Sequence, residues 1–454
     1  MPILDHIYRE YDIRGIVEEE LTPLVLESIG IAFGSIATER LRGCPKIVVG
    51  RDNRPSSQQL TESLIEGLIS TGSHVTDIGT VPTPTVYWAE KQLNFDAGIQ
   101  ITGSHNPAEW NGVKMSLQGK PFYGKDIQEL RDFRCTEQKQ VDEGRHSRRD
   151  VTKDYIEDIV ARFKLKKPLK VVLDCGNGVG SLVGAEILRG IGAQVVPLYC
   201  ESDGTFPNHH PDPTVDGNLK DLIETVKREK ADVGIGFDGD ADRIGAVDEK
   251  GHIVRGDLLL LLLGLDILTT NGKAKMIFDV KCSQVVGEEF TSAGGQPVMW
   301  KTGHSLIKKK MAEENADLAG ELSGHIFFAD GYLGFDDAPY CAARLLELIS
   351  RSDASFFDMV NRFRIYRSTP EIRIEVPEHR KKEIIEAATD HFRALYRVLD
   401  VDGVRILFDG GWGLLRASNT QPILVARFEA EKPERLESIR IEVEDWLLKQ
   451  GVSM

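Results

Sequence analysis

The sequence has no Cys-x-x-Cys pair and no histidine clustered around its cysteines, which removes a zinc site of the usual spacing. Cys44, Cys135, Cys175, Cys200, Cys282 and Cys341 are widely scattered and read as reduced, mostly buried thiols. Long apolar runs are also missing. The longest, Leu258 to Leu265, stops at Asp266, far short of the roughly 20 residues that a membrane-spanning helix needs. The opening Met1-Pro2-Ile3-Leu4-Asp5-His6 lacks the basic-then-apolar order of a signal peptide, so a cytoplasmic protein is expected. Positive charge is scarce: 56 Lys and Arg stand against 71 Asp and Glu, for a net charge of -15. That balance excludes nucleic acid and anionic membrane as main partners, because polyanion binding draws on accumulated Lys and Arg. An anionic small molecule remains open, through local cations.

What is present is enough chain for several cores. At roughly 100 to 200 residues per domain, 454 residues imply three or four domains, and 41% hydrophobic with 28% charged residues is an ordinary soluble balance. Three segments begin alike: Lys46 to Asp52, Lys170 to Gly176 and Lys275 to Lys281, each a short buried strand ending in polar residues. A helical stretch follows each, then a Gly-led second strand at Gly72 to Asp77, Gly192 to Pro197 and Gly295 to Trp300. Strand, helix, strand is the parallel crossover unit. Another helix precedes a third strand in each copy, at Asp96 to Thr102, Asp232 to Asp238 and Asp317 to Glu321. The expected fold is therefore α/β, with three tandem copies of a mixed or parallel-sheet domain over residues 1–149, 150–252 and 253–364. A smaller α+β domain over 365–454 is expected from strands at Glu371 to Val376, Val404 to Leu407 and Ile423 to Phe428, and helices from Pro377 to about Arg397 and from Pro433.

The least ordinary polar runs fall at one equivalent place, just past the third strand of each copy: Thr102 to Pro107, Asp238 to Arg243 and Gly320 to His325. Open parallel sheets bind ligands at those strand ends, so the three runs are expected to face one central cleft. Asp238, Asp240 and Asp242 alternate, which on an extended backbone puts three carboxylates on one side and calls for a cation. Oxygen-only ligation suits magnesium; a solvated acidic turn or a calcium loop is the plainer alternative. Ser104 is a candidate phosphate-carrying nucleophile. On an extended chain its neighbour His105 would point to the opposite side and be poorly placed as its base. Lys114 is a candidate base or phosphate clamp. Glu321, Ser323 and His325, again at every second position, are expected to share one face that grips sugar hydroxyls. Arg416, Ser418, Asn419 and Thr420 form a compact candidate oxyanion site. Tyr11 with Arg14, and Lys301 to His304, add donors of less specific meaning.

Together the runs TGSHNP, DGDADR, GELSGH and RASNTQP, in that order along the whole chain, resemble the α-D-phosphohexomutase family. With Asp279 to Ser283 and Trp300 to Lys310 flanking it, the GELSGH loop is most similar to the bacterial phosphomannomutase/phosphoglucomutase group. The resemblance implies a phosphorylated Ser104 and magnesium held by Asp238, Asp240, Asp242 and a phosphoserine oxygen, with Arg243 steadying that site. It implies proton transfer by Lys114 and His325, and sugar hydroxyls bound by Glu321 and Ser323. Arg416 to Thr420 would hold the non-reacting phosphate, and Tyr11, Arg14, Lys281 and His304 would complete the cleft. The implied reaction interconverts hexose 1-phosphate and hexose 6-phosphate of mannose or glucose. It runs through a glucose or mannose 1,6-bisphosphate, on a monomer whose fourth domain moves. A phosphoglucosamine mutase, a sugar phosphatase and a non-catalytic sugar-phosphate sensor are the alternatives. Leu322, where Met is commoner, and Gln421, where Glu is, are the departures.

Overall fold

The computed structural model describes residues 5–133, 144–418 and 422–453. In the first unit, strand Lys46–Arg51 lies between the parallel strands His74–Thr80 and Ala97–Ile101. Strand Lys170–Asp174 holds the same place between Gln194–Leu198 and Val233–Phe237, as does Lys275–Asp279 between Gln296–Trp300 and Leu318–Gly320. Their continuous Val, Ile and Leu runs are buried, as expected of strands with helices against both faces. Each unit also has a fourth strand, antiparallel to the third, that the repeat reading did not separate: Trp110–Leu117, Ile244–Asp248 and Ile326–Phe328. Each polar run is thus the turn of a hairpin, and a hairpin turn projects its side chains away from the sheet edge.

Two further corrections fall in the C-terminal domain. The helix begins at Glu378 and ends at Arg393, and Arg397–Leu399 is a strand paired with Val404–Phe408. Gly411–Ala417, in which Gly411 and Gly413 disguise the pattern, is the central strand between Val404–Phe408 and Ile423–Ala430. Arg416 accordingly stands on a strand. The helix Pro433–Lys449 packs across this antiparallel sheet.

One continuous hydrophobic core joins the first three units, with Val48 and Trp88 from the first, Leu173 and Phe237 from the second, and Leu260 and Phe328 from the third. The C-terminal domain has its own core around Ile406, Phe428 and Trp446. It meets the third unit through a small cluster of Val280, Trp412 and Leu414. Arg405 lies 3.7 Å above the Trp412 ring and donates to the carbonyls of Val280 at 2.7 Å and Cys282 at 2.9 Å. These two carbonyls flank Lys281, so the docking of the last domain also sets the backbone beneath that side chain. Replacing Trp412 by Ala should cost the C-terminal domain about 3 to 5 kcal/mol and leave the shared core of the other units intact. Calorimetry should show a separate early transition in Trp412→Ala; one transition shifted as a whole would contradict the division.

Candidate active site

Three hairpin turns meet backbone to backbone. A Cβ on Gly239 would lie 2.4 Å from the Ser104 carbonyl oxygen, and one on Gly324 would lie 2.3 Å from that of Ile244. Gly324 also has φ 90°, a left-handed conformation that side chains other than glycine adopt at a cost. The first unit's loop therefore presses on the metal turn from one side, and the third unit's loop from the other.

The turn Asp238 to Arg243 is tight, not extended as expected from its alternation. Ala241 has φ 59°, and Asp238 Oδ1 accepts the backbone N-H groups of Asp242 and Arg243, both at 3.0 Å. The three carboxylates converge all the same: one oxygen from each lies within 4.8 Å of the others, all buried. Burial, then the charges of Asp240 and Asp242, raise the Asp238 carboxyl well above the usual carboxylate range. Oδ1 of Asp240 and Oδ1 of Asp242 are buried without a hydrogen-bond partner. Buried, unpartnered carboxylate oxygens are costly, and a small cation relieves them, so this oxygen-only set fits magnesium. Lys114 supplies part of the countercharge, donating to Asp240 Oδ2 at 2.7 Å and Asp242 Oδ2 at 2.6 Å. Burial lowers its pKa, but Asp240 and Asp242 outweigh that and hold it well above the usual lysine value. Thr83 adds a hydroxyl to Asp240 Oδ2 at 2.6 Å.

Ser104 Oγ lies 3.4 Å from Asp238 Oδ2. Its backbone has φ 51°, which overturns the extended geometry expected here. That turn brings His105 Nδ1 to 3.0 Å from Ser104 Oγ, so the imidazole faces the hydroxyl it was expected to face away from. Burial, with Arg243, Arg14 and Lys114 nearby, keeps the His105 pKa well below the usual histidine value, and a neutral ring can accept the serine proton. The loop itself hangs on two residues that the motif reading passed over. Asp52 Oδ2 accepts the Thr102 hydroxyl at 2.8 Å and the Gly103 N-H at 3.1 Å. Arg54, paired with Asp52 at 3.0 Å, donates to the carbonyls of Ser104 at 2.9 Å and Asn106 at 2.6 Å. Asp52 follows the strand Lys46–Arg51 directly, while Asp174 and Asp279 close the corresponding strands of their units two positions earlier in the repeat.

In the third unit, Glu321 to His325 form a turn in which the Glu321 N-H donates to the His325 carbonyl at 2.9 Å. Glu321 Oε1 accepts the Gly303 N-H at 2.6 Å, His325 meets the metal turn, and Ser323 is half-buried. Arg243 Nε donates to His325 Nε2 at 2.9 Å, which leaves Nδ1 as the protonated nitrogen, 3.0 Å from Asp336 Oδ2. Asp336 is fully buried, pairs with Lys308 at 3.0 Å and lies 3.9 Å from His304. Neither Asp336 nor Lys308 is marked by the repeat. Asp242, His325 and Asp336 also converge, but Arg243 and Lys308 already neutralise that group.

The remaining predicted residues form a second set. Tyr11 donates to the Thr302 carbonyl at 2.9 Å, and Arg14 to Asp12 Oδ2 at 2.8 Å. Asp402 Oδ2 accepts the Thr302 N-H at 3.1 Å and Arg416 Nε at 2.9 Å, tying the last domain to the third. Lys281 pairs with Glu371 at 2.7 Å, and that lysine charge is the main reason the Glu371 carboxyl falls to about 2. Ser418 is buried beside Lys381, which donates to its carbonyl at 2.7 Å. Asn419 and Thr420 lie outside the described residues, as does Gln421.

Four family domains match the chain in order: the phosphoglucomutase/phosphomannomutase alpha/beta/alpha domains I, II and III over residues 5–140, 153–251 and 255–366, and the C-terminal domain over 371–445. The chain belongs to the phosphoglucomutase/phosphomannomutase family. Among its relatives is a phosphomannomutase/phosphoglucomutase of Pseudomonas aeruginosa, 46% identical over 96% of this chain and 94% of the relative. Another is a phosphoglucomutase of Neisseria meningitidis, 42% identical over 96% and 95%. A crystal structure of a family protein from Burkholderia thailandensis, 40% identical, superposes with a TM-score of 0.91 over 98% of this chain and 97% of that one. The protein is a phosphohexomutase, an enzyme that interconverts hexose phosphates.

Gly239→Ala should push the Ser104 loop off the metal turn. A displacement near 1 Å at reacting groups costs about a hundredfold in rate, so kcat/KM should fall by that order while the fold persists by circular dichroism. Retained activity would mean the close backbone approach is incidental.

Proposed function

We propose that Ser104 carries the phosphoryl group as phosphoserine and that the enzyme converts hexose 1-phosphate to hexose 6-phosphate through a hexose 1,6-bisphosphate. The observation that carries this reading is the Ser104 hydroxyl 3.4 Å from Asp238, beside the unpartnered oxygens of Asp240 and Asp242. Asp238, Asp240, Asp242 and a phosphoserine oxygen would hold magnesium, which supplies charge neutralisation for the phosphoryl group in transfer.

Phospho-Ser104 gives its phosphoryl group to the free hydroxyl of a sugar phosphate, and the hydroxyl proton passes to a nearby base. We assign this proton transfer to His325 and Lys114; Lys114, held as the ammonium by Asp240 and Asp242, serves on the donating side. Asp336 Oδ2 lies 3.0 Å from His325 Nδ1, and Arg243 Nε donates to His325 Nε2. Glu321 and Ser323 take sugar hydroxyls, and Arg416, Ser418, Asn419 and Thr420 hold the phosphate that does not react. Tyr11, Arg14, Lys281 and His304 line the space between. Lys281 and Arg416 rest on Glu371 and Asp402, so an incoming phosphate exchanges one anionic partner for another without uncovering a bare cation. The bisphosphate then reverses, the serine reclaims the opposite phosphate, and the product leaves. Closure by the fourth domain keeps water from the phosphoserine.

Mannose and glucose phosphates are the proposed substrates, in line with the names of the Pseudomonas and Neisseria relatives. Glucose 1,6-bisphosphate or its mannose counterpart serves as activator. A cytoplasmic monomer is part of the proposal; the acidic charge disfavours nucleic-acid and anionic-membrane partners, and among the described residues no helix is long and apolar enough to cross a membrane.

Phosphorus NMR with each hexose 1-phosphate, magnesium and a trace of 1,6-bisphosphate tests the reading. Both sugars should convert, the protein should carry one phosphoryl group at Ser104, and Ser104→Ala should abolish both. Inorganic phosphate without isomer would select a phosphatase, and turnover of glucosamine phosphate alone would overturn the sugar assignment. In a separate measurement, Asp336→Asn should lower kcat roughly a hundredfold, the lower range for general acid-base catalysis, with little change in KM. An unchanged kcat would remove the His325 and Asp336 pair from proton transfer.

A further inference from the structure

Two of the scattered cysteines are neighbours. Cys175 follows the strand Lys170–Asp174 and Cys200 lies just beyond Gln194–Leu198, in a register that pairs Asp174 with Leu198. Tyr199, at φ 50°, bends the chain after its strand, and Cys200 Sγ lies 2.9 Å from Cys175 Sγ. The pair is asymmetric. Cys175 is fully buried and Cys200 is half-buried. A hydrogen bond from Cys175 lowers the Cys200 pKa, whereas burial raises that of Cys175 well above the usual thiol value. Nucleophilic attack is thus favoured at Cys200, with Cys175 as the resolving thiol.

The position gives the pair a route to the active site. The turn that Cys175 opens is held by the Gly178 N-H on the Cys175 carbonyl at 2.8 Å. Val179 N-H then donates to the Gly239 carbonyl at 3.0 Å, and a Cβ on Gly178 would lie 2.5 Å from that same oxygen. Asn53 of the first unit reaches the Asn177 carbonyl at 2.7 Å. The segment next to Cys175 is therefore the underside of the metal turn, packed without room to give. Forming a disulfide brings the sulfurs from 2.9 Å to about 2.0 Å, a shift in which this segment shares.

We propose that Cys175 and Cys200 are a redox-active pair that closes to a reversible disulfide on exposure to a hydroperoxide, and that closure slows the mutase. The Cys200 thiolate attacks a peroxide oxygen, the O-O bond breaks, and the leaving oxygen takes a proton and departs as an alcohol, or as water from hydrogen peroxide. The Cys175 sulfur then attacks the resulting sulfenic acid, the S-O bond breaks, and water leaves with the Cys175 proton. Two thiols lose two electrons, and the peroxide gains them. A cellular dithiol or glutathione reverses the step.

The full-length enzyme, loaded with magnesium, is treated with hydrogen peroxide and then with dithiothreitol, with peptide mapping and mutase assays at each stage. The expected result is a Cys175 to Cys200 cross-linked peptide and a several-fold fall in kcat, both reversed by dithiothreitol. Cys200→Ser should keep its activity through the same treatment. Cross-links that avoid this pair, a sulfinic acid on Cys200 beside a free Cys175, an unchanged kcat in the cross-linked enzyme, or equal inactivation of Cys200→Ser would each overturn the proposal. The wild-type map decides the chemistry even where a variant fails to fold.

Discussion

The neutralisation of buried carboxylates governs this structure. Asp238, Asp240, Asp242 and Asp336 are at most 1% exposed, and isolated buried charges cost several kcal/mol each. The second unit does not supply all the countercharge for its own acids. The metal turn belongs to the second unit, but Lys114 comes from the first; Arg243 answers His325 of the third, and Lys308 answers Asp336. A second unit alone would hold three converging carboxylates without Lys114. Folding the three units onto one core and assembling the site are for this reason the same event.

A carboxylate at the end of each unit's first strand serves as the fixing point. Asp52 holds the Ser104 loop through Thr102 and Gly103. Asp279 accepts the Leu322 N-H at 3.3 Å and the Thr302 hydroxyl at 3.0 Å, fixing the loop of Glu321 to the loop of His304. Asp174 accepts His209 at 2.9 Å, and the nearby Pro211 carbonyl takes the Gly239 N-H at 3.2 Å. Carboxylates at or just past these strand ends thus do three related tasks. The fourth domain stands apart from this scheme. It is joined through Arg405 on the Val280 and Cys282 carbonyls, Asp402 on the Thr302 N-H, and Glu371 on Lys281.

What could be read from the chain was periodic. The three copies, the placement of their polar runs and the chemical character of each run follow from spacing and strand order, since buried parallel strands must be apolar and their ends must be polar. The family resemblance rested on those same runs. Non-periodic features escaped. Gly411–Ala417 is a central strand whose glycines resemble a turn, and it is a strand because Val404–Phe408 and Ile423–Ala430 pair with it on both sides. Asp336 and Lys308 carry no local signal and acquire meaning only through His325.

The residue types at the site, and the unit on which each stands, were determined by the sequence itself, because side-chain chemistry and strand alternation are local properties. Direction was decided by tertiary structure. Ser104 at φ 51° faces both Asp238 and His105, and the tight metal turn gathers three carboxylates that an extended chain would only have aligned. Glu321 and His325 part to different partners, while Cys175 and Cys200, distant by spacing, come into contact. Backbone dihedrals in turns are chosen by what the neighbouring units press against them, and no pattern within one unit encodes that pressure.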